Sequence, residues 1–412
     1  KNTLRQTIFI AFCALSEAKG MDINMVFEDK GRDGVKDDGM EFVEKESGSR
    51  VTVGFRLFRR GDGEEFRRCI EDFYGDGYPY KEYLKEEFLL DKCASGEMTV
   101  LCGVTPDGEM ISTSAVRQDE EFRGSALLML RVVKEAYRGM GIGKVQEECL
   151  FRYAERQEGV YSLYADVMTH NSISQGSLAR RGFVFCGIRM MLYRNPVMVP
   201  GLGLAKEGKM SQAVMCRRGC VHRIGILYCP SEHVEEVRRI YGELGVECGI
   251  VKETRIDVSV QADGPSRCEC LLSSSVKMPE VEETDMSWKE EAAHNSYILM
   301  VQKMGKDFEK RLSVRMEQIG EYGDATVVCY LNLRDLAAVS GYETLFRAGF
   351  FFTGLKPLQE NAEYMLLTYI GGQKIRYEDI HLHENGEKLL SYIKKRRRSA
   401  KRGINKIENN KK

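Results

Sequence analysis

The sequence predicts a mixed α/β protein built as two consecutive lobes, each a mixed sheet flanked by helices. Three observations predict it. From about residue 51 onward, strand-like alternation of apolar residues and helix-like spacing take turns along the chain, the pattern of an α/β (α+β) fold. A short pattern also recurs 167 residues further on: Leu178, Arg180, Gly182, Phe183, Phe185, Gly187 return as Leu345, Arg347, Gly349, Phe350, Phe352, Gly354 in the same spacing. Finally, 412 residues at roughly 100 to 200 per domain leave room for two such lobes.

Residues 1–50 read as a segment ahead of the first lobe, because 21–50 are rich in Gly, Asp, Glu and Lys and carry the turn-forming run Asp29 to Gly34. The first lobe spans 51–200. Val51, Val53, Phe55 and Leu57 alternate with polar residues as a half-buried strand does, and apolar residues from Phe66 to Phe73 return at helical spacing. Met98 to Val104 and Met110 to Val116 read as strands joined by the turn Pro106 to Glu109. A strand from Ala126 to Val133, a glycine loop, and a helix carrying Val145, Cys149, Leu150 and Tyr153 follow. A strand from Tyr161 to Val167, a helix from Ser172 to Arg181 and a strand from Phe183 to Leu192 complete the lobe.

Residues 195–213, with two prolines and little periodicity, read as a linker. The second lobe, 201–393, is expected to hold a helix over Val234 to Leu244, a polar loop over 256–290 and a long helix over Ile298 to Ile319. Strands over Thr326 to Leu331 and Tyr364 to Ile370 follow. The tail 394–412 has ten Lys and Arg in nineteen residues and no interleaved aromatics. It reads as a disordered, solvated segment, which argues against a nucleic-acid role.

Composition excludes several classes. Lys and Arg total 61 against 62 Asp and Glu, so no global field draws the chain to nucleic acid or an anionic membrane. No apolar stretch approaches the roughly 18 residues of a membrane span. Thirteen cysteines, odd in number and irregular in spacing, read as free thiols of a cytoplasmic protein. Neither Cys216 with Cys220 nor Cys268 with Cys270 has the further ligands of a zinc site, so no metal is expected.

The segment that carries chemistry runs from Val132 to Lys144, VVKEAYRGMGIGK, between a strand and a helix. Gly139, Gly141 and Gly143 let the backbone curl with positive φ and approach a ligand, while the helix behind them presents free N–H groups and a positive dipole end. A pyrophosphate suits that arrangement. The loop follows a late strand and lacks GxGxxG, so it is not a dinucleotide fingerprint.

The run VxxxYRGxGIGK resembles motif A of the GNAT (GCN5-related) N-acetyltransferases. Asn171 with Gly182 and Phe183 eleven residues later resembles their motif B. The resemblance implies tandem GNAT-like lobes with mixed, mostly antiparallel sheets, of which only the first keeps the pyrophosphate loop. It implies acetyl-CoA, or another acyl-CoA, held by Val132, Val133, Arg138, Gly139, Met140, Gly141, Ile142, Gly143, Lys144, Asn171 and Ser174. A narrower resemblance, carried by Cys69 to Pro79, Gly159 to Ala165, Ser174 and Gln175, and Ala348 to Gly354, is to bacterial tandem GNAT proteins with an anti-sigma-type ATPase module at the N-terminus. Ala14 to Ala18 and Asp29 to Gly31 resemble remnants of that module. Met21 stands where its magnesium-holding asparagine would be, so no ATP binding is expected.

Acyl transfer needs a neutral amine in line with the thioester carbonyl, an oxyanion donor and a route for the proton. By resemblance, the amide of Val132 or Val133 is the oxyanion donor. The usual Glu base falls at Leu127 and the usual Tyr acid at Leu178, so both are replaced. Asp166 is the first alternative base, with His170 and Tyr193 behind it. The expected activity is an acetyltransferase acting on a small-molecule or peptidyl amine; the alternative is a non-catalytic acyl-CoA-binding or regulatory protein. The sequence names neither the acceptor nor the oligomeric state.

Overall fold

The computed structural model describes residues 40–44, 48–78, 80–119, 121–155, 157, 159–194, 208–252, 255–257, 274–275, 282–320 and 323–409. The residues that resemble an ATPase remnant, and Cys268 with Cys270, lie outside that set. The architecture is mixed α/β with mostly antiparallel sheet, and it divides into two compact units. One comprises 1–120, 126–163 and 196–205; the other comprises 121–125, 164–195 and 206–412.

The first unit is an antiparallel sheet of β1 (Met40–Val43), β2 (Arg50–Leu57), β3 (Met98–Val104), β4 (Met110–Gln118) and β5 (Ser125–Val133), in that spatial order. Helices α1 (Gly63–Tyr74), α2 (Glu86–Ala94) and α3 (Ile142–Glu155) belong to it. In α1, Phe66, Cys69 and Ile70 fall on one face and are fully buried, while Arg67 and Arg68 pair with Glu64, Glu65 and Glu71 outside. Phe66 meets Leu89 of α2 and Val100, Leu130 and Val132 of the sheet in one core. Burying a side chain of this kind contributes about 1.5–3 kcal/mol. Between Thr113↔Val132 and Ala115↔Met129, β5 has one residue more than β4; Leu130, at φ 53°, takes up that bulge.

The second unit follows as β6 (Ser162–Met168, its part from Tyr164), α4 (Ser172–Ala179), β7 (Val184–Arg194), β8 (Lys209–Arg218), β9 (Arg223–Tyr228), α5 (Val234–Glu243), β10 (Glu247–Val251), β11 (Arg255–Asp257), β12 (Ser274–Ser275), β13 (Asp285–Glu291) and β14 (Ser296–Lys303). It ends with α6 (Phe308–Gly320), β15 (Thr326–Asn332), α7 (Ala338–Arg347), β16 (Phe351–Lys356), β17 (Tyr364–Ile370) and α8 (Glu384–Asn409). Its main sheet runs β6-β8-β7-β16-β17-β15-β14-β13, with β14 and β15 parallel. The pairs β9–β10 and β11–β12 stand apart.

The repeated pattern occupies equivalent places. Leu178 and Leu345 are fully buried in α4 and α7, Gly182 and Gly349 follow at φ 81° and 93°, and β7 and β16 then pair antiparallel through Gly187↔Gly354. Outward from that contact the orders β7-β8-β6 and β16-β17-β15 mirror each other. A Cβ on Gly354, at φ 131°, would lie 2.3 Å from the Cα of Gly187, so the two backbones meet only because both residues are glycine.

Several expectations are corrected. In the compact units, 164–195 group with the C-terminal residues, because β7 is laddered to β8 along its length. The helix expected over Ile298 to Ile319 is strand β14 followed by α6, and the loop expected over 256–290 ends in the charged edge strand β13. The linker expected to 213 gives way to β8 at Lys209. Residues 394–409, expected as a disordered tail, continue α8. Leu389, Leu390 and Ile393 bury that helix, Arg397 stacks on Phe351, and Arg396 donates to the Glu232 carbonyl.

Among the described residues the cysteines are free and no helix is long and apolar enough to cross a membrane.

Candidate functional site

The loop between β5 and α3 lies wholly in the first unit. A turn of 3₁₀ helix at Glu135–Tyr137 leads into Arg138, Gly139, Met140 and Gly141, and α3 begins at Ile142. Gly139 and Gly141 have φ of 85° and 92°, and a Cβ at either would meet nothing within 4 Å. The curl therefore needs glycine for its backbone and leaves open space in front of it. The carbonyl of Gly141 accepts from Lys144 and Val145, whereas the amides of Gly141, Ile142 and Gly143 open the helix and have no intrahelical acceptor. At Gly143 a Cβ would lie 3.1 Å from Val133 Cγ2, so this glycine seats α3 closely on β5. The turn thus offers N–H groups, a helix dipole and free space, which fits a pyrophosphate.

Two carboxylates that the sequence reading did not single out fasten the loop. Glu109 accepts from Lys134 Nζ at 2.9 Å and from Tyr137 OH at 2.8 Å. The Lys134 hydrogen bond holds Glu109 below the usual carboxylate range, and Glu109 in turn pushes the Tyr137 phenol up. Asp72 of α1 accepts the Glu135 amide at 2.8 Å and sits 3.7 Å from Arg138. The Arg138 guanidinium lies over Phe73 and donates to the Val133 carbonyl. Behind the loop, Arg131 of β5 pairs with Glu147 of α3 at 2.8 Å, and Gln146 donates to the Leu101 carbonyl. No spacing rule joins residues so far apart in sequence, so no signal short of the fold could have found them.

Backbone register separates the two oxyanion candidates. Lys134 N–H donates to Ile111 O of β4, and Val132, two residues earlier, faces the same way. The Val133 N–H therefore points to the opposite edge of β5. Leu127 is half-buried on β5 opposite Arg117, and Leu178 is fully buried in α4; as alkyl side chains, neither can give or take a proton.

The remaining expected residues fall in the second unit. Asp166 Oδ2 accepts from Arg189 at 2.6 Å, and Arg189 also donates to Tyr330 OH and Gln212. Burial opposes the Arg189 charge, but Asp166 and the phenols around it outweigh burial and raise its pKa well above the ordinary value. Asp166 thus balances a buried cation. His170 is buried, its Nε2 has no hydrogen-bond partner among the described residues, and burial, with His381 second, lowers its pKa. Tyr193 packs edge-on against His294. Asn171 is the N-cap of α4, its Oδ1 accepting the Ser174 amide at 3.1 Å, so both have a local task. Among the described residues no three His, Cys, Asp or Glu gather as metal ligands.

The turn between β14 and α6 is filled. A Cβ on Gly305 would lie 2.5 Å from Glu283, Gly305 N–H donates to Thr284, and Asp307 accepts from the Thr284 amide. The parallel strands β14 and β15 stay in register from Ser296↔Thr326 to Val301↔Leu331.

Residues 63–183 match the sequence model of the Acetyltransferase (GNAT) family. Among solved structures, the ribosomal-protein-S18-alanine N-acetyltransferase of Escherichia coli is similar at 16% identity over 41% of this chain and 94% of its own, with a TM-score of 0.32. A GNAT-family acetyltransferase of Streptococcus pneumoniae is similar at 18% identity, over 40% of this chain and 99% of its own, TM-score 0.34. The spermidine N-acetyltransferase of Vibrio cholerae, in complex with CoA and spermine, is similar at 13% identity over 40% and 95%, TM-score 0.32. No curated protein sequence matches.

Proposed function

Starting from a GNAT acetyltransferase domain over residues 63–183, we propose that this chain transfers an acyl group, acetyl in the simplest case, from acyl-CoA to a small-molecule or peptidyl amine. The observation that carries this reading is the open glycine curl at Gly139 and Gly141 in front of the first amides of α3. In it, the backbone amides of Gly141, Ile142 and Gly143 hold the pyrophosphate, and Lys144, beside them, adds positive charge. Bound acyl-CoA supplies the activated thioester carbonyl. The Val133 N–H, free of β4, supports the oxyanion, a contribution of about 10²–10³ in rate for one such donor.

With leucine at 127 and 178, and Asp166 committed to Arg189, the acceptor attacks as the neutral amine, and the proton it loses on forming the amide passes through water to the departing CoA thiolate, which leaves as the thiol. We further propose that the lobes arose by duplication and that the second, its cradle filled by Thr284 and Asp307, serves as a structural partner. The free thiols suit a reducing cytoplasm.

The pairing of Asp166 with Arg189 favours a second reading, an acyl-CoA-binding protein without turnover. Steady-state assay of CoA release with acetyl-CoA and an amine panel separates the two. Acceptor-dependent release is expected; CoA binding without release under any amine would establish the second reading.

A further inference from the structure

The second unit holds a pocket of about 220 Å³ beside the edge strand β13. Ile298, Met300 and Gln302, alternate residues of β14, form its floor. Ser287 and Lys289 of β13 stand in register with Met300 and Ile298, and Glu121 closes the facing side. The Glu121 wall is held in place: Phe122 packs against Tyr330 and Tyr364, and the Glu360 N–H donates to the Arg123 carbonyl at 2.8 Å.

The pocket contains an alkylammonium of its own. Lys289 Nζ lies 2.7 Å from Glu121 Oε1 and 3.5 Å from Glu291 Oε1, and its side chain is 56% exposed, so it can exchange one carboxylate for the other. An incoming aliphatic ammonium matches that stem and head, with methylenes for Ile298 and Met300 and charge for Glu121. A carboxylate ligand would have to draw Lys289 away and face Glu121 itself.

From this geometry we infer that the pocket binds an aliphatic ammonium, which replaces Lys289 on Glu121 while Lys289 moves to Glu291. No carboxylate or ammonium is then left unpaired. The pocket's preference for aliphatic ammonium does not rest on the acyltransferase reading.

Trp288, the only tryptophan of the chain, lines this pocket and reports on it directly. The full chain would be titrated without CoA, following tryptophan emission, with n-butylammonium chloride and with butyrate and butanol as controls. A saturable response to butylammonium alone is expected. Glu121→Gln should weaken it at least about tenfold, the worth of a hydrogen bond to a charged group. Lys289→Ala should tighten it roughly two- to fivefold, because an exposed ion pair that competes for Glu121 is gone. No saturation, an equal response to butyrate, or the two substitutions moving Kd in the same direction would overturn the inference. CoA binding, measured on the same proteins, should be unchanged by either substitution. CoA binding without an amine response removes the pocket alone; an amine response without CoA binding removes the acyltransferase reading and supports the pocket.

Discussion

Replacing Glu363 by Gln tests how the second unit holds the loop between β16 and β17. Glu363 is fully buried; its Oε2 accepts from Tyr241 OH at 2.5 Å and from the Leu358 amide at 2.6 Å, and its Oε1 accepts from Arg334 at 3.3 Å. Burial raises the carboxyl from 4.5 to about 7, against the pull of those donors. Because the folded pKa lies above the unfolded one, the protonated carboxyl stabilises the fold fully below about pH 4.5. That stability is lost as pH rises through 7. At about 1.4 kcal/mol per unit, the shift amounts to about 3 kcal/mol. The glutamine side chain keeps an oxygen for Tyr241 and Leu358 but cannot titrate. In urea unfolding from pH 5 to 8.5, the stability of wild type minus that of Glu363→Gln should fall by about 1.4 kcal/mol per unit up to pH 7 and then level off. A difference independent of pH, or one that rises with pH, would refute the reasoning. The same loop donates from the Glu360 N–H to the Arg123 carbonyl.

Arg189→Met should destabilise the protein by about 3–5 kcal/mol by leaving Asp166 without its cation. Adding Asp166→Asn should recover part of this in a double-mutant cycle read by urea unfolding. Gly354→Ala should cost more than about 2 kcal/mol, because a Cβ 2.3 Å from Gly187 forces β7 and β16 apart; a thermal midpoint equal to wild type would contradict the close backbone contact. His233, which burial lowers to about 3, is neutral between Tyr342 and Tyr392. His233→Phe should therefore lose about 1–3 kcal/mol at pH 8 and less at pH 5, because below about pH 6.5 the unfolded wild-type chain takes up a proton that the buried ring does not, and should quicken tryptic cutting in α8.

The α/β class, the helix face of Phe66, Cys69 and Ile70, and the glycine curl are legible in the sequence because each depends on local spacing. Periodicity fails where neighbours decide. The run SYILMVQK is laddered on both edges as β14, and a continuous apolar run looks the same in a strand and a helix. Strand β13, DMSWKEE, carries charges because it is an edge, and they mask its alternation. The basic stretch after Ile393 reads as a tail because its anchors, Leu389, Leu390 and Ile393, lie just before it. At the site, the backbone part is readable and the side-chain part is not. Glu109 with Lys134, Asp72 with Glu135, and Asp166 with Arg189 meet only through strand register and helix packing.

Whether the loop at Arg138 to Lys144 holds the pyrophosphate of CoA is tested most directly by isothermal titration of CoA into wild type and Gly141→Glu. A glutamate at that position puts a carboxylate into the open space in front of the amides of Ile142 and Gly143. Loss of two charge-assisted hydrogen bonds, at about 1.5–3 kcal/mol each, predicts at least about a hundredfold weaker binding. Wild-type binding no tighter than that of Gly141→Glu, with both proteins folded by circular dichroism, would contradict the assignment.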